Sequence, residues 1–362
     1  MALYWLLCPS IYLFSYNIAQ TVQEEVEYEC VDIYKQPSFQ HPLMKDHQIQ
    51  MRPSVEFQAM LLKEYPEILN LSTNYKSKER CPEGKVPIHR PQINYTNNFM
   101  IHPEKAIAET NLHYAIIKQF ENATKKWRGV GAQAVFDIYK PRVLSNQFTK
   151  AWIWLNHREN DVISSIQFGW AVHTGLYPDD RPRLTTYFVS DRQKNGCYNT
   201  LCRGGFVQVH KTIYPGMVYD KVSVLGKRQY SVHLLVGQDS RTKNWLLMTR
   251  TTLIGYWPHQ IYSAQGPTQA YFGGYAGGLT GDISPAMGAG NFVIQAGFRK
   301  NYSCFMKQLK LFYGNKLEDI DSNAFGEYVD SPNCYDVWFR KFEVGNGELL
   351  TFGGPGGACG FP

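Results

Sequence analysis

The carboxylates that could act as acids or bases are distributed unevenly along this chain of 362 residues. The stretch from Asp161 to Leu317 contains no glutamate. The best carboxylate pair in that stretch, Asp179-Asp180, lies between two prolines and beside Arg181, a pattern typical of a turn whose charges pair locally. The central part of the chain therefore offers amides and hydroxyls rather than an evident pair of acid and base.

One of those amides, Gln167, lies in a stretch with two dissimilar faces. Residues 165–172 read Ser-Ile-Gln-Phe-Gly-Trp-Ala-Val, so the large apolar residues alternate with small ones. This period of two predicts a strand, with Trp170 on the side that faces the core. The small face, with Ser165 and Gly169 beside Gln167, leaves room for a ligand. The alternative is a sandwich strand whose outer side simply meets solvent.

The cysteines indicate an oxidising destination. Of the eight, Cys8 lies in a leader, so seven remain and one is unpaired. The predicted disulfides are Cys30–Cys81, Cys197–Cys202 and Cys334–Cys359, and Cys304 is the free thiol by elimination. The ten histidines are scattered and no second close cysteine pair exists, so neither a metal nor another cofactor is expected.

The N-terminus has the composition of a leader. Residues 2–22 are uncharged and mostly apolar, and the first ionised side chain is Glu24. We interpret residues 1–19 as a signal peptide cleaved after Ala19; a signal anchor is the alternative. Candidate N-glycosylation sites, which accompany secretion, begin at Asn70, Asn94, Asn122 and Asn301. The protein is expected to be secreted, with no membrane segment after cleavage.

The elements that position these residues are predicted to be strands. From about His113 onward, short runs rich in β-branched and aromatic residues alternate with Gly/Pro turns, which is typical of an all-β antiparallel sandwich. The predicted strands are 134–139, 151–155, 162–172, 184–189, 206–213, 229–236, 245–256, 291–298 and 303–313. Neither Gly273–Gly278 nor Phe352–Gly357 has the strand–loop–helix context of a phosphate-binding loop, and the second is interpreted as a turn.

Residues 20–108 differ from this body. They are irregular and contain repeated prolines, so we expect a small domain stapled by one disulfide. The net charge of +6 is not concentrated in basic runs interleaved with aromatic residues, so no nucleic-acid partner is expected.

Several motifs together resemble the neprosin family of secreted plant proteins. The segment Cys30–Pro37 followed by His41-Pro42-Leu43 looks like the family's activation-peptide signature, and Val86–Arg90 resembles its Val-Pro-Ile-Arg-Arg. The motifs of the body stand in family order: Gly169–Val172, Gly196–Cys202, Gly205–Gln208, Gly255–Pro258, Met287–Gly290 and the terminal Gly-Gly-Pro-Gly.

The resemblance implies a glutamic peptidase that cleaves after proline, built as two stacked antiparallel sheets with a cleft on one concave face. It implies three parts: a signal peptide (1–19), an activation-peptide-like pro-domain (20–108) that docks on its own body, and a catalytic-type domain (109–362). In such enzymes two glutamates share the work, one as the general base on water and the other as proton donor or oxyanion stabiliser. Aromatic residues around the cleft are expected to receive the proline ring. Tyr256 and Trp257 are the candidates, and the alternative is that both fill the core.

The sequence departs from the family at both glutamates. The family's first glutamate lies in an Ile-Glu-Ala-Gly-Trp pattern, where this chain has Ile-Gln-Phe-Gly-Trp with Gln167 at the glutamate position. The second precedes Trp-Gly-Gly, where this chain has Tyr271 followed by Phe-Gly-Gly. The only glutamate near either position is Glu159, which we interpret as a solvated charge in the polar turn 156–161. An amide cannot take a proton from water, and a tyrosine has an ordinary pKa of about 10. The sequence therefore predicts a silent member that keeps a cleft for a proline-containing peptide or cell-wall protein. The alternative is an active peptidase or other hydrolase with a non-standard site.

Overall fold

The computed structural model describes residues 28–65, 81–90, 110–120, 129–159, 162–190, 196–262, 266–279, 283–295, 301–341 and 347–359. The predicted signal peptide and the sequons at Asn70, Asn94 and Asn122 lie outside these ranges, whereas Asn301 lies in a half-buried turn. Strands are numbered β1 to β19 along the chain. No helix in the described ranges has the length and apolar character needed to span a bilayer.

The predicted antiparallel sandwich is present. Its first sheet has seven strands. In order across the sheet they are β17 (Phe325–Val329), β3 (Thr110–Gln119), β13 (Gln269–Leu279), β5 (Phe148–Glu159), β6 (Val162–His173), β7 (Arg183–Val189) and β8 (Cys197–Tyr198).

The second sheet has ten strands. Its main path runs through β14 (Met287–Gly288), β19 (Glu348–Gly354), β15 (Cys304–Tyr313), β4 (Gly131–Asp137), β10 (Ser231–Gln238), β11 (Trp245–Thr249), β12 (Thr252–Trp257) and β9 (Val207–Gln208). β16 (Lys316–Asp319) pairs with β15, and β18 (Asp336–Lys341) pairs with β19.

The two sheets pack face to face around one large apolar core. On β6 the predicted apolar face is fully buried: Ile166, Phe168, Trp170 and Val172 all lie in this core. Phe168 meets Phe136 of the other sheet with ring centroids 6.4 Å apart. Trp170 donates a hydrogen bond of 2.8 Å to the carbonyl of Asp137. The expected core orientation of Trp170 is therefore confirmed.

Some strands differ from their prediction. Residues 245–256 form two strands instead of one, because Arg250 adopts φ 51° between β11 and β12 and reverses the chain. Residues 291–295 form a turn region without a strand, and residues 296–300 lie outside the described part. The polar segment at 156–159 continues β5, with Asn156 opposite Ser165, rather than forming a loop.

The glycine-rich segment at 273–278 was not predicted as a strand, but it belongs to the central strand β13. A Cβ at Gly273 would lie 2.5 Å from the carbonyl oxygen of Ala115 in β3, and one at Gly277 would lie 2.7 Å from the ring of Phe148 in β5. The glycines allow close approach between strands instead of marking a turn. Likewise Phe352–Gly354, interpreted as part of a turn, ends strand β19.

The N-terminal segment lies mainly on the outer face of the ten-stranded sheet, and His89 also meets Tyr177, in the loop after β6, edge-on at 5.1 Å. It contains the hairpin of β1 (Tyr28–Asp32) and β2 (Lys85–His89) and the helix α1 (Val55–Glu64). Ser54 caps the helix by accepting a hydrogen bond from the amide of Phe57. Phe57 stacks on Phe312 at 6.1 Å. Tyr65, just past the helix, contacts Gln133 and His233, which point away from the core because they alternate with Phe136 and Val232 in register.

The cysteine predictions agree with the structure. It contains the disulfides Cys30–Cys81, Cys197–Cys202 and Cys334–Cys359, and Cys304 is a buried free thiol. Burial raises the pKa of Cys304 well above its ordinary value, and the nearby Asp137 carboxyl raises it further. Such a thiol is a packing residue and a poor nucleophile.

Candidate functional site

The register of the seven-stranded sheet places Gln167 and Tyr271, the residues at the two predicted glutamate positions, in one row across the strands. Tyr271 of β13 lies opposite Trp154 of β5, which lies opposite Gln167 of β6. Residues directly opposite in an antiparallel ladder point to the same face. Tyr271 and Gln167 therefore share the outer face, two strands and roughly 10 Å apart, with the indole of Trp154 between them.

The hydrogen bonds of this row join neutral groups. The amide of Gln167 donates to Ser165 Oγ at 3.2 Å, and Ser165 in turn donates to Asn156 Oδ1 at 2.6 Å. Tyr271 donates to the side-chain oxygen of Gln269 at 2.9 Å. Gln167 and Tyr271 are half-buried, whereas Ser165 is buried. Ser165 thus orients Gln167 rather than lining an open surface.

Aromatic residues surround the row. A cluster separate from the main core contains Ile116, Trp152, Trp154 and Tyr187, with Tyr114, Val189, Tyr198, Tyr271 and Tyr275 packed against it. The ring of Tyr275 lies between Tyr114, at 4.9 Å, and Trp154, at 6.1 Å. Flat rings on one sheet face form a surface suited to apolar and ring-shaped ligand groups.

The small face of β6 is only partly open, which corrects the expectation for Gly169. A Cβ at residue 169 would overlap the carbonyl oxygen of Ala151 and would lie 2.9 Å from the indole of Trp152. Gly169 is therefore small because the neighbouring strand and Trp152 occupy its space. The open part of the face lies around Gln167 and Tyr271.

Tyr256 and Trp257 do not line this face, so their prediction as cleft residues is wrong. They lie on β12 in the other sheet, and both are fully buried in the main core. Trp257 packs edge-on against Phe206 at 4.9 Å. The hydroxyl of Tyr256 accepts a hydrogen bond of 3.0 Å from the amide of Gln50. Tyr256 therefore anchors the N-terminal segment.

Sequence reasoning missed a buried lysine on the same face. Lys150 of β5 is 2 % exposed and donates a hydrogen bond of 2.7 Å to the hydroxyl of Tyr198. Its amine lies over four aromatic rings, at 4.1 to 5.3 Å from their centroids: Trp152, Phe148, Tyr198 and Tyr275. The available signal was the period of two along this strand, which places Lys150 on the same face as Phe148, Trp152 and Trp154.

His173 completes this buried group. It stacks on Phe148 at 5.0 Å and meets Tyr198 edge-on at 5.8 Å. Burial lowers its pKa well below the ordinary value, and the charge of Lys150 lowers it further. His173 is therefore neutral, and its Nδ1 accepts a hydrogen bond from the amide of Leu176.

The alternative carboxylate pair is held by cations. Asp179 binds Arg181 at 2.6 Å and Arg183 at 2.9 Å, and Asp180 binds Lys140 at 2.7 Å. Burial alone would raise the pKa of Asp179, but hydrogen bonds from the two arginines outweigh it and lower the pKa. This is the locally paired turn that the sequence predicts.

The fold and the site define a two-sheet protein with an aromatic face on the outer side of one sheet and an N-terminal segment on the other. Residues 145–355 match the family described as Neprosin, and residues 23–117 match the family described as Neprosin activation peptide. The chain therefore belongs to the neprosin family and is peptidase-like.

Solved structures of peptidases are also similar. Scytalido-glutamic peptidase with a transition-state analogue inhibitor is 11% identical, with a TM-score of 0.36, covering 67% of this chain and 98% of that chain. SCP-B, a member of the eqolisin family in a complex with the tripeptide Ala-Ile-His, is also 11% identical over the same shares, with a TM-score of 0.32.

Proposed function

We propose that this protein is a secreted, catalytically silent member of its family that binds proline-containing peptides on the face around Trp154. The observation that carries the proposal is the row Tyr271–Trp154–Gln167, which contains no carboxylate. The motif resemblance assigns the family's two glutamates to the positions of Tyr271 and Gln167. A proline-containing segment of a cell-wall protein is a suitable ligand, since aromatic rings pack well against pyrrolidine rings.

The chemistry of the row supports binding without cleavage. Peptide hydrolysis by two glutamates requires one of them to remove a proton from water. Gln167 has no titratable group, and the hydroxyl of Tyr271 donates a hydrogen bond to the side-chain oxygen of Gln269. Loss of a general base costs about 10²–10⁴-fold in rate. What remains is a half-buried amide and a hydroxyl that can hydrogen-bond to peptide groups.

Secretion is part of the proposal. Three disulfides join described cysteines, and disulfides persist in oxidising compartments. The extracellular space or the vacuole of a plant cell are the expected locations. No observation favours the active alternative through Asp179 and Asp180, whose carboxylates are already bound to cations.

The test compares cleavage with binding on the same purified protein. A fluorogenic proline-containing peptide is incubated at acidic pH with the unchanged chain, with Gln167→Glu/Tyr271→Glu, and with Gln58→Glu as a control for an added carboxylate on the N-terminal helix. Binding of a labelled peptide is followed in parallel by fluorescence anisotropy.

We expect the unchanged protein to bind without measurable turnover, and the double variant to be the only form that gains cleavage. Turnover by the unchanged protein that is retained after repurification would refute the silent assignment. Absence of peptide binding would refute the binding assignment. An inactive double variant does not affect the silent assignment, because that assignment is tested by the turnover of the unchanged protein.

A further inference from the structure

The aromatic face contains a buried cation without a counter-ion. Lys150 has Tyr198 as its hydrogen-bonding partner, and within the described part of the chain no carboxylate forms an ion pair with it. The closest charged pair in the same row of the sheet is Arg183 with Asp179, two strands away, and that carboxylate is already shared by two arginines. A buried charge without a partner is costly, because the interior solvates it poorly.

The surroundings of Lys150 act in opposite directions on its protonation. Burial lowers its pKa well below the ordinary value. The four ring faces and the Tyr198 hydroxyl oxygen favour the ammonium form. An anion that binds beside the amine supplies the missing counter-charge and raises its pKa again.

A second group on this face also lacks a partner. The indole N–H of Trp152 is buried and has no hydrogen-bond acceptor among the described residues. The amine of Lys150 lies 4.1 Å from the centroid of the same indole. A buried donor and a buried cation at one place both call for an acceptor with negative charge.

We propose that the Lys150 end of the aromatic face binds a carboxylate of the peptide ligand; the inference rests on the peptide-binding function proposed above. Tyr198 and Tyr275 are half-buried and lie on the amine, so the carboxylate reaches the site beside these rings. The two glutamates that would have repelled such a ligand are absent, since their positions carry Gln167 and Tyr271.

The spacing defines the ligand more closely. Lys150 and Trp154 lie four residues apart on β5, which is about 13 Å along the strand. An extended peptide covers this distance with about four residues. A ligand with proline over Trp154 therefore presents its carboxylate three to four residues away, either as its C-terminus or as an acidic side chain.

The experiment uses three labelled hexapeptides that share one proline. The first ends in a free carboxylate four residues after the proline, the second is its C-terminal amide, and the third is the amide with glutamate as its last residue. Their affinities for the full chain are measured by fluorescence anisotropy at low and at high salt. The variants are Lys150→Met, which keeps the length of the side chain, and Tyr198→Phe, which removes the oxygen that Lys150 binds.

We expect both carboxylate peptides to bind about tenfold more tightly than the plain amide, and Lys150→Met to abolish the difference. Lys221→Met is the matched control, because Lys221 is exposed beside Tyr230. This substitution removes the same net charge at a different place. Tyr198→Phe is expected to reduce the preference, and it serves as the test if Lys150→Met does not fold. Tighter binding by the C-terminal acid alone would assign the site to a peptide terminus, and equal binding of both acids would assign it to any carboxylate.

Equal affinity for all three peptides would overturn the carboxylate inference and leave the peptide-binding function standing. A preference that survives Lys150→Met, or that Lys221→Met also removes, would likewise overturn it. Failure of every peptide to bind would refute the proposed function itself, and the inference with it.

Discussion

An amide and a phenol on either side of an indole offer hydrogen bonds and an apolar contact, whereas two carboxylates in the same places could act as an acid–base pair. Gln167 and Tyr271 are held by the strand ladder, and each makes a hydrogen bond to a neutral neighbour on its own strand. Trp154 between them is 7 % exposed, so its ring is the floor of the row and its edges are what a ligand meets. The energetic centre of binding is expected to be this ring.

Replacement of Trp154 by alanine is expected to weaken binding of a proline-containing peptide at least tenfold. Buried aromatic anchors at the centre of a site contribute most to affinity, typically about 2 kcal/mol or more on truncation. The measurement is anisotropy of a labelled peptide. Trp338→Ala is the control, because Trp338 lies on the other sheet beside Arg340. An unchanged affinity in Trp154→Ala would move the site away from this row.

At the scale of the element, strands β6 and β13 differ in how well their sequences predict them. The strand β6 was predictable, because its large residues alternate with small ones and a core takes the large ones. β13 is also an internal strand of the sheet, but its alternation of large and small residues is obscured by four glycines, Gly273, Gly274, Gly277 and Gly278. Its glycines are set by contacts with β3, β5 and the other sheet, which lie far away in sequence. The site of Lys150 was missed for a similar reason, since the four rings around its amine come from three strands, β5, β8 and β13.

Gly273→Ala tests this account of β13. The new methyl group would lie 2.5 Å from a backbone oxygen of β3, and φ at this residue is 140°, so the ladder beside Tyr271 must open. We expect a loss of about 2 kcal/mol in the free energy of unfolding, read as a lower Tm. Gly314→Ala is the matched control, because Gly314 has φ 59° and open space around it. The account is wrong if both variants lose the same stability.

At the scale of the whole molecule, the N-terminal segment and the aromatic face lie on opposite sheets. The segment is anchored by several polar contacts to the outer face of the ten-stranded sheet: Gln36 with Gln208, Gln50 with Asp239, Tyr65 with His233 and Glu64 with Lys310. The described part of the segment therefore stabilises the body on the side opposite the aromatic face. It leaves the row of Trp154 uncovered by those residues.

The contact at His233 predicts how this arrangement responds to acid. Burial, together with the charge of Arg250, lowers the pKa of His233 to about 4. The folded state thus binds fewer protons than the unfolded chain between about pH 6.5 and 4, so stability is fully present above pH 6.5 and is lost as the pH falls through this range. The loss is at most about 3.5 kcal/mol from this residue, at 1.4 kcal/mol per pKa unit.

His233→Asn is expected to reduce the fall in Tm between pH 7 and pH 4.5, because asparagine keeps an acceptor for the amide of Arg250 and does not titrate. Burial also lowers the pKa of His173, so the comparison is between the variant and the unchanged chain. His157→Asn on the other sheet serves as the control. An identical fall in Tm for the unchanged chain and His233→Asn would show that His233 is not responsible.

The separation of the aromatic cluster from the main core gives the molecule two sets of intrinsic optical reporters. Trp152 and Trp154 belong to the face, whereas Trp170, Trp245 and Trp257 are sealed between the sheets. Emission from the first pair responds to whatever occupies the face, and emission from the second group changes only when the sheets separate. Occupancy and unfolding can therefore be followed in one unlabelled sample, with Trp154→Phe and Trp170→Phe separating the two signals.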